Sequence, residues 1–291
     1  MSSASTYALL DSGNFRKLEK IGSCRVIRPA AQASWRPGLH ASEWQEADFE
    51  FLRRGSQDGI WQALQGKKAP SLQTIDFHDL QLELRLTDFG HIGLFPEHAS
   101  QWPFITDSVA ALAYTNRAAK VLNLFAYTGA MSLHAAKCGA EVVHVDASRT
   151  SVDWAKRNAV LSQLSQAPIR WIMDDVCKFT KREIRRESKY DAIILDPPSF
   201  GRGPKGELWK IEDHLPELLG DLAQLLNPEQ GAILLSCHTP GYTPLALSNL
   251  LSQTFGKGKI MADELRVDSD KLGNFPLPSG CFARLTLGGK I

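Results

Sequence analysis

The sequence lacks the features that define several large protein classes. Its five cysteines are odd in number and widely separated, without a C-x-x-C pair, so neither a disulfide framework nor a zinc ribbon is indicated. No stretch approaches the roughly 18 apolar residues of a membrane-spanning helix, and Met1–Arg16 has no apolar signal-peptide core. No histidine pair has the spacing of a metal-binding motif. We therefore predict a cytoplasmic chain with no membrane span and no bound metal.

The sequence also has no excess of charge of one sign. Its 33 Lys and Arg against 32 Asp and Glu leave a formal net charge of +1 over 291 residues. A content of 43% hydrophobic and 22% charged residues is ordinary for a folded globular chain, which excludes a mainly disordered protein. A strongly polybasic nucleic-acid or membrane binder is excluded as well, so any polyanionic partner must be held by local patches.

The chain changes character near Pro103. Before it, Leu80–Leu86 alternates strictly between apolar and polar residues, which predicts an antiparallel strand with one buried face. Thr74–Phe77 is expected to pair with that strand, and Cys24–Arg28 predicts another. Residues 1–100 are therefore predicted to form a small β-rich module. Four tryptophans of the region are expected to serve burial rather than base stacking: Trp35, Trp44, Trp61 and Trp102.

After Pro103, apolar strands alternate with helical patterns. The predicted strands are Val121–Ala126, Glu141–Asp146, Ile169–Met173, Ala192–Leu195 and Ala232–Ser236. Helices of about ten residues or more between strands indicate a doubly wound parallel sheet. Ile260–Val267 and Cys281–Leu287 have no helical pattern between them and predict an antiparallel edge. The fold class predicted for residues 101–291 is α/β, with a seven-stranded Rossmann-like sheet whose last strand is antiparallel.

The first candidate site is the loop that follows the first of these strands. Asn123–Gly129, with the sequence NLFAYTG, leads into a predicted helix, and open α/β sheets bind ligands at such positions. Gly129 is the one glycine of this loop, whereas a dinucleotide-binding loop has three, in the pattern G-x-G-x-x-G. Phe125 and Tyr127 would crowd a pyrophosphate. The loop thus indicates a nucleoside without a diphosphate, and an ordinary turn with a buried aromatic is the alternative.

Acidic residues end the next three predicted strands. Asp146 ends the second, Asp175 or its neighbour Asp174 ends the third, and Asp196 ends the fourth. A carboxylate about 20 residues beyond the glycine turn is placed to accept hydrogen bonds from a ribose diol. One at the third strand can contact an adenine amino group. Aspartate is common at strand ends, but three in succession around one glycine turn indicate a site.

Asp196 also begins the sequence DPPSF. Pro197 and Pro198 keep the backbone extended and remove two donors, so that the local carbonyls can accept from an amino group. Phe200 offers a face for a flat base. The motif therefore indicates a site for an amino-bearing planar substrate.

Together these motifs resemble a class I S-adenosylmethionine-dependent methyltransferase. More narrowly, the glycine loop, Val145–Ser148 (VDAS) and Leu195–Phe200 (LDPPSF) resemble the bacterial family that contains the large-subunit ribosomal RNA cytosine-5 methyltransferases. Gly90–Pro96 (GHIGLFP) resembles a segment that precedes their catalytic domain. The similarity covers most of residues 75–290. Family members often begin with a PUA RNA-binding domain, which residues 1–70 do not resemble, so the chain is similar to a shorter branch.

The resemblance implies methyl transfer with S-adenosyl-L-methionine as the cofactor. Around the cofactor it implies Asn123, Phe125, Tyr127, Gly129, Asp146, Ser148, Asp175 and Asp196. At the methyl acceptor it implies Asp196, Pro197, Pro198 and Phe200, with Cys237 as the candidate nucleophile.

The role of Cys237 decides the target atom. Cytosine C5 is unreactive until a thiolate adds at C6, so that chemistry requires a cysteine. Cys237 ends the fifth predicted strand, where the cytosine-5 enzymes carry a similar Ser-Cys-Ser sequence, and His238 follows it. A buried strand-end cysteine is the alternative. An exocyclic amine would then be the better target.

Two basic segments are candidates for binding RNA. The glycine-containing stretch after the DPPSF motif carries three basic residues, Arg202, Lys205 and Lys210. This stretch is either a substrate lid or a plain surface loop. Four basic residues on and just beyond the predicted helix Lys178–Glu187 also follow the spacing of one helix face, where a solvated face is the expected role: Lys178, Arg182, Arg185 and Lys189. The predicted function is methylation of an RNA base, of the ribosomal RNA type. A protein or small-molecule acceptor, or a degenerate fold acting as an RNA-binding or assembly protein, stays open.

Overall fold

The computed structural model describes residues 7–55, 58–64, 66, 73–111, 117–269 and 275–288. The chain divides into two compact units: Met1–Glu97 with Arg266–Ser279, and His98–Leu265 with Gly280–Ile291. The sequence predicted two continuous parts, residues 1–100 and 101–291, whose outer ends lie outside the described residues. The first unit differs in gaining a late segment, because Ser269 forms a parallel β-bridge with Leu9.

The first unit contains two mainly antiparallel sheets and a short helix. Its elements are β1 (Tyr7–Gly13), β2 (Arg16–Ile21), β3 (Cys24–Pro29), α1 (Ala41–Gln45), β4 (Phe49–Arg53), β5 (Gly59–Ala63), β6 (Gln73–Phe77) and β7 (Leu80–Leu84). β1 to β5 form one sheet in chain order, and β6 pairs with β7. The strand at Cys24 and the β6–β7 hairpin confirm the predictions. β1 was not predicted because nearly all of its residues are buried, which removes the alternation of a one-sided strand.

Tryptophans of the first unit serve its interior hydrogen bonding. The indole N–H of Trp44 donates to Asp11 at 2.9 Å, that of Trp35 to the Ser12 carbonyl at 2.9 Å, and that of Trp61 to a backbone carbonyl. Trp44 is buried, as predicted, whereas Trp35 and Trp61 are partly buried.

Glu19 of β2 lies at the centre of a buried charge cluster in the same unit. Arg28 donates to its two oxygens at 2.6 and 2.7 Å, Tyr7 donates at 2.9 Å, and the Lys17 ammonium lies 3.2 Å away. Burial would raise the pKa of Glu19, but Arg28, Lys17 and the hydrogen bonds lower it to about 2. The carboxylate is therefore ionised and saturated with donors.

The second unit is a sheet flanked by helices. After a 3₁₀ helix (Pro96–Gln101) its elements are α2 (Trp102–Ala110), β8 (Lys120–Leu124), α3 (Ala130–Lys137), β9 (Glu141–Asp146), α4 (Arg149–Leu161), β10 (Ile169–Met173), α5 (Val176–Arg185), β11 (Ala192–Leu195), β12 (Phe200–Arg202), β13 (Leu208–Lys210), α6 (Ile211–Leu225), β14 (Ala232–Cys237), α7 (Pro244–Phe255), β15 (Lys259–Val267) and β16 (Leu277–Thr286).

The seven-stranded sheet has the order β10-β9-β8-β11-β14-β16-β15. Its first five strands in that order pair in parallel, and β16 runs antiparallel to β14. β11 and β14 are buried along their whole length, because a doubly wound sheet is covered on both faces. The doubly wound, Rossmann-like sheet and its antiparallel strand confirm the prediction. In the part of the chain that the structure describes, no helix is long and apolar enough to cross a membrane.

Candidate active site

The candidate site lies where the strand order of the sheet reverses. β8 and β11 are neighbours, yet the chain proceeds from β8 toward β9 and β10 on one side and from β11 toward β14 on the other. Ligands of open α/β sheets bind outside the carboxyl ends of the strands at such a switch point. The loops after β8, β9, β11 and β14 carry most of the predicted site residues.

The loop after β8 has an unusual backbone. Phe125, Tyr127 and Gly129 all have positive φ, at 54°, 49° and 87°. Such angles are uncommon for aromatic residues and are retained mainly at functional sites. A Cβ on Gly129 would lie 3.0 Å from that of Ala155 in α4, so both the conformation and the space require glycine. The loop is a tight cradle at the start of α3.

Asp146, at the end of β9, faces this cradle. One carboxylate oxygen accepts from the Tyr127 backbone N–H and the other from that of Ser148, both at 2.8 Å. Burial raises the pKa of Asp146, and these two hydrogen bonds oppose the shift. A carboxylate has about four acceptor positions, so each oxygen retains one for a ligand hydroxyl. The Ser148 hydroxyl accepts from a backbone N–H as the N-cap of α4.

The two aspartates after β10 are engaged in starting α5. The Asp175 side chain accepts from the Lys178 N–H at 2.9 Å as the N-cap of the helix. Asp174 accepts from the Asp175 N–H at 2.9 Å and pairs with Arg182. The contact of Asp175 with adenine stays a prediction. It requires a carboxylate acceptor position of Asp175 that the capping hydrogen bond does not use.

Asn123 lies beneath the glycine loop, in the interior of β8. Its amide donates to the Ser132 hydroxyl at 2.8 Å, and that hydroxyl lies 3.0 Å from Nδ1 of His144. Burial, with a smaller effect of Lys156, lowers the pKa of His144 to about 3, so the ring is neutral. The network joins β8, α3 and β9 under the cradle. Neither Ser132 nor His144 was predicted. The signal that could have revealed them is a polar residue within an otherwise apolar helix or strand.

Asp196 follows β11, and three side chains converge on it. The Ser236 hydroxyl donates to Oδ1 at 2.7 Å, Nε2 of His238 lies 3.5 Å from Oδ1, and Nε2 of His98 lies 3.6 Å from Oδ2. Burial would raise the pKa of Asp196, but the two histidines and the Ser236 hydroxyl lower it on balance. His98 and Ser236 were not predicted, because each is distant from Asp196 in sequence.

The Pro-Pro segment is held by Trp209, which was not predicted as a site residue. Pro197 is buried and Pro198 is exposed, and the Pro198 carbonyl accepts from the indole N–H of Trp209 at 2.7 Å. The Trp209 ring lies 4.8 Å from that of Phe125, so it connects the Pro-Pro segment with the glycine loop. Phe200 is 42% exposed. The stretch after it is not an irregular loop, since β12 and β13 pair as a short hairpin.

Cys237 lies in the hydrophobic core rather than among these polar groups. It is 1% exposed and belongs to one cluster with Leu235 and Ala283. It is directly opposite Cys281 across β14 and β16. Burial raises the pKa of the Cys237 thiol, which disfavours the thiolate that a nucleophile needs. Its neighbour His238 reaches Asp196 instead.

The two basic segments differ in exposure and in ion pairing. The three basic residues of the β12–β13 hairpin are exposed: Arg202, Lys205 and Lys210. On α5, Lys178 pairs with Glu207 and Arg182 with Asp174, so two of the four basic residues make ion pairs within the unit. A cavity of about 520 Å³ lies at the opposite, amino end of the sheet and is lined by Lys120 and Tyr190. It faces none of the strand-end aspartates.

Known methyltransferases are similar to this chain in sequence and in fold. Residues 56–254 match the family of S-adenosylmethionine-dependent methyltransferases. The solved structure of the SAM-dependent methyltransferase from Agrobacterium tumefaciens is 39% identical, with a TM-score of 0.90 over 97% of this chain and 91% of that chain.

Curated relatives include the ribosomal RNA large subunit methyltransferases K/L. That of Hahella chejuensis is 33% identical over 70% of this chain and 27% of its own length. That of Shewanella frigidimarina is 36% identical over 51% of this chain and 20% of its own length. The matches thus cover about a fifth to a quarter of these relatives.

Proposed function

This chain belongs to the S-adenosylmethionine-dependent methyltransferase family, and from that premise we propose that it methylates a nitrogen of a base in RNA. Its cofactor is S-adenosylmethionine. The observation that carries the proposal is the placement of an ionised Asp196 and its Pro-Pro segment beside the glycine cradle, while the neighbouring cysteine is buried. Methyl transfer to nitrogen requires alignment and an acceptor for a proton, and these groups supply both.

The cradle and Asp146 fit the cofactor. A loop with one glycine and two aromatics suits a nucleoside without a diphosphate, and the remaining acceptor positions of Asp146 suit the two ribose hydroxyls. Asp175 would contact the adenine, and Phe125 and Tyr127 would border the ribose and methionine. When bound, the cofactor supplies an activated methyl group on a sulfonium cation. Aligning that methyl with the acceptor can contribute roughly 7–11 kcal/mol.

Asp196 would hold the acceptor nitrogen. Its carboxylate is ionised, and its backbone carbonyl and that of Pro197 follow β11 directly, where an amino group could donate to them. The burial and raised pKa of Cys237 favour nitrogen over cytosine C5, because attack at C6 needs an accessible thiolate.

The hairpin β12–β13 would contact RNA. Its exposed Arg202, Lys205 and Lys210 suit phosphates, and Phe200 and Leu208 expose 42% and 46% of their surface beside them. Aromatic faces next to basic groups are typical of surfaces that stack unpaired bases. The names of the curated relatives support the same acceptor, and a cytoplasmic setting is part of the proposal.

The proposal is tested by labelled methyl transfer. The chain and methyl-labelled S-adenosylmethionine are incubated with RNA, protein and small-molecule fractions from cells that lack the gene, and labelled products are identified by mass spectrometry. We expect an N-methylated nucleoside in RNA. Label confined to protein or small molecules would contradict the acceptor, 5-methylcytosine would contradict the target atom, and no binding of the cofactor would favour a scaffold protein.

A salt titration tests the RNA surface. Replacing Arg202 and Lys205 by alanine should reduce the slope of log affinity against log salt by roughly 1.4–1.8, which is about 0.7–0.9 per lost phosphate contact. Lys181→Ala is the matched control, because Lys181 pairs with Glu217 on neighbouring helices. An unchanged slope in the double variant would exclude the hairpin.

A further inference from the structure

We propose that His98, Asp196 and His238 bind a divalent transition-metal ion of the zinc type. The three side chains lie in the second unit, on the 3₁₀ helix, after β11 and after β14. The sequence predicted no metal, because the three ligands are far apart along the chain. The inference concerns ion binding and holds whichever molecule accepts the methyl group.

The spacing of the donor atoms is that of a coordination shell. The two Nε2 atoms are 3.3 Å apart, and each imidazole faces one oxygen of Asp196, at 3.5 and 3.6 Å. Ligands bound tetrahedrally at about 2.0–2.2 Å lie about 3.3–3.6 Å from one another. Hydrogen bonds of nitrogen to oxygen are shorter, at about 2.7–3.2 Å. The two distances to Asp196 therefore fit a shared ion better than direct hydrogen bonding. The 3.3 Å between the two imidazole nitrogens lies within hydrogen-bonding range and also fits two ligands of one ion.

The chemistry of the donors selects the kind of ion. Two imidazole nitrogens and one carboxylate are ligands that Zn²⁺ and its neighbours in the first transition series accept. Mg²⁺ and Ca²⁺ prefer shells made of oxygen, and octahedral Mg²⁺ would bring ligand atoms to about 2.9 Å.

The surroundings hold the ligands and leave one side open. Ser236 donates to Asp196 at 2.7 Å, the kind of outer contact that orients a metal-binding carboxylate. A Cβ on Gly280 would lie 2.9 Å from the His238 ring, so glycine there provides the space for that ring. The His98 side chain is 8% exposed and that of His238 is 32% exposed. A fourth coordination position would face solvent on the His238 side.

Cobalt titration tests the site. The chain is freed of metal with a chelator, which is then removed, and Co²⁺ is added while visible absorption is recorded. We expect about one ion per chain, with the intense bands of four-coordinate Co²⁺, and loss of those bands when Zn²⁺ is added.

Variants decide whether these residues are the ligands. His238→Ser should weaken Co²⁺ and Zn²⁺ binding by more than tenfold, and Ser236→Ala by about tenfold. His40→Ser is the matched control, since His40 is an exposed N-cap of α1 that serine can replace. Absence of binding to the wild type, or equal binding by His238→Ser, would overturn the proposal. Binding of S-adenosylmethionine is measured by calorimetry on the same samples, so that a failure of the metal site is distinguished from a failure of the proposed function.

Discussion

Glu19 of the first unit and Asp196 of the second are both carboxylates withdrawn from solvent, but their surroundings differ. Glu19 has four donor groups within 3.2 Å: two from Arg28, one from Tyr7 and one from Lys17. Asp196 has one close donor, the Ser236 hydroxyl, and two imidazoles at longer range. A carboxylate offers about four acceptor positions, so the first is filled and the second retains capacity. Saturation marks a group that stabilises the fold, and retained capacity at a strand end marks one that meets a ligand.

Glu19→Gln tests the structural half of this comparison and should have the largest effect. Removing one partner of a buried ion pair leaves Arg28 uncompensated and should cost about 3–5 kcal/mol of the free energy of unfolding. Urea denaturation measures it. Glu50→Gln, which disrupts a more exposed pair with Arg16, should cost less than about 1 kcal/mol. Similar losses in the two variants would contradict the comparison.

The same residue makes stability depend on pH. The pKa of Glu19 is about 2 in the folded chain against an ordinary 4.5. Its contribution is therefore complete above about pH 4.5 and is lost as the pH falls toward 2, by about 3 kcal/mol in all. Denaturation of the wild type and Glu19→Gln at several pH values should show their difference shrinking over this window. A constant difference would mean that its neighbours do not lower the pKa of the Glu19 carboxylate in the folded chain.

Asp196→Asn tests the functional half. Asparagine can still accept from Ser236, so the free energy of unfolding and the affinity for S-adenosylmethionine should change little. The rate of methyl transfer should fall by about 100-fold or more, as when an oriented polar group is removed from a reacting centre. Single-turnover kinetics with calorimetry separate the two quantities. A full rate in this variant would place Asp196 outside the reaction.

Asp146→Asn should affect cofactor binding rather than the chemical step. The change removes the charge and one acceptor oxygen that faces the ribose position, and should raise the dissociation constant for S-adenosylmethionine by about 10-fold. Asp153→Asn, on the surface of α4, is the control. An equal, small change in both variants would assign Asp146 to holding the loop through Tyr127 and Ser148 alone.

The sequence predicted the parallel sheet and the strand-end aspartates, because these are local patterns: apolar strands, the turn at Gly129 and acidic strand ends. It did not reveal Ser236, whose link to Asp196 exists only once β11 and β14 pair, or His98, which reaches Asp196 from the 3₁₀ helix far earlier in the chain. It did not reveal β1, which is buried on both faces. It also gave no means of choosing between a reactive and a buried Cys237, since that depends on the packing of β14 against β16. Contacts between distant segments are therefore what the fold adds.

Cys237→Ala should have the smallest effect and sharpens the comparison most. Cys237 adjoins His238 in sequence, yet its side chain lies among Leu235 and Ala283 and burial raises its pKa. Alanine should cost about 1 kcal/mol of stability and leave methyl transfer to RNA within about twofold of the wild type. A loss of 100-fold or more with unchanged cofactor affinity would restore cytosine C5 as the target. An unchanged rate would assign the reaction at the end of β14 to the face that carries Ser236 and His238, because successive strand residues point to opposite faces of the sheet.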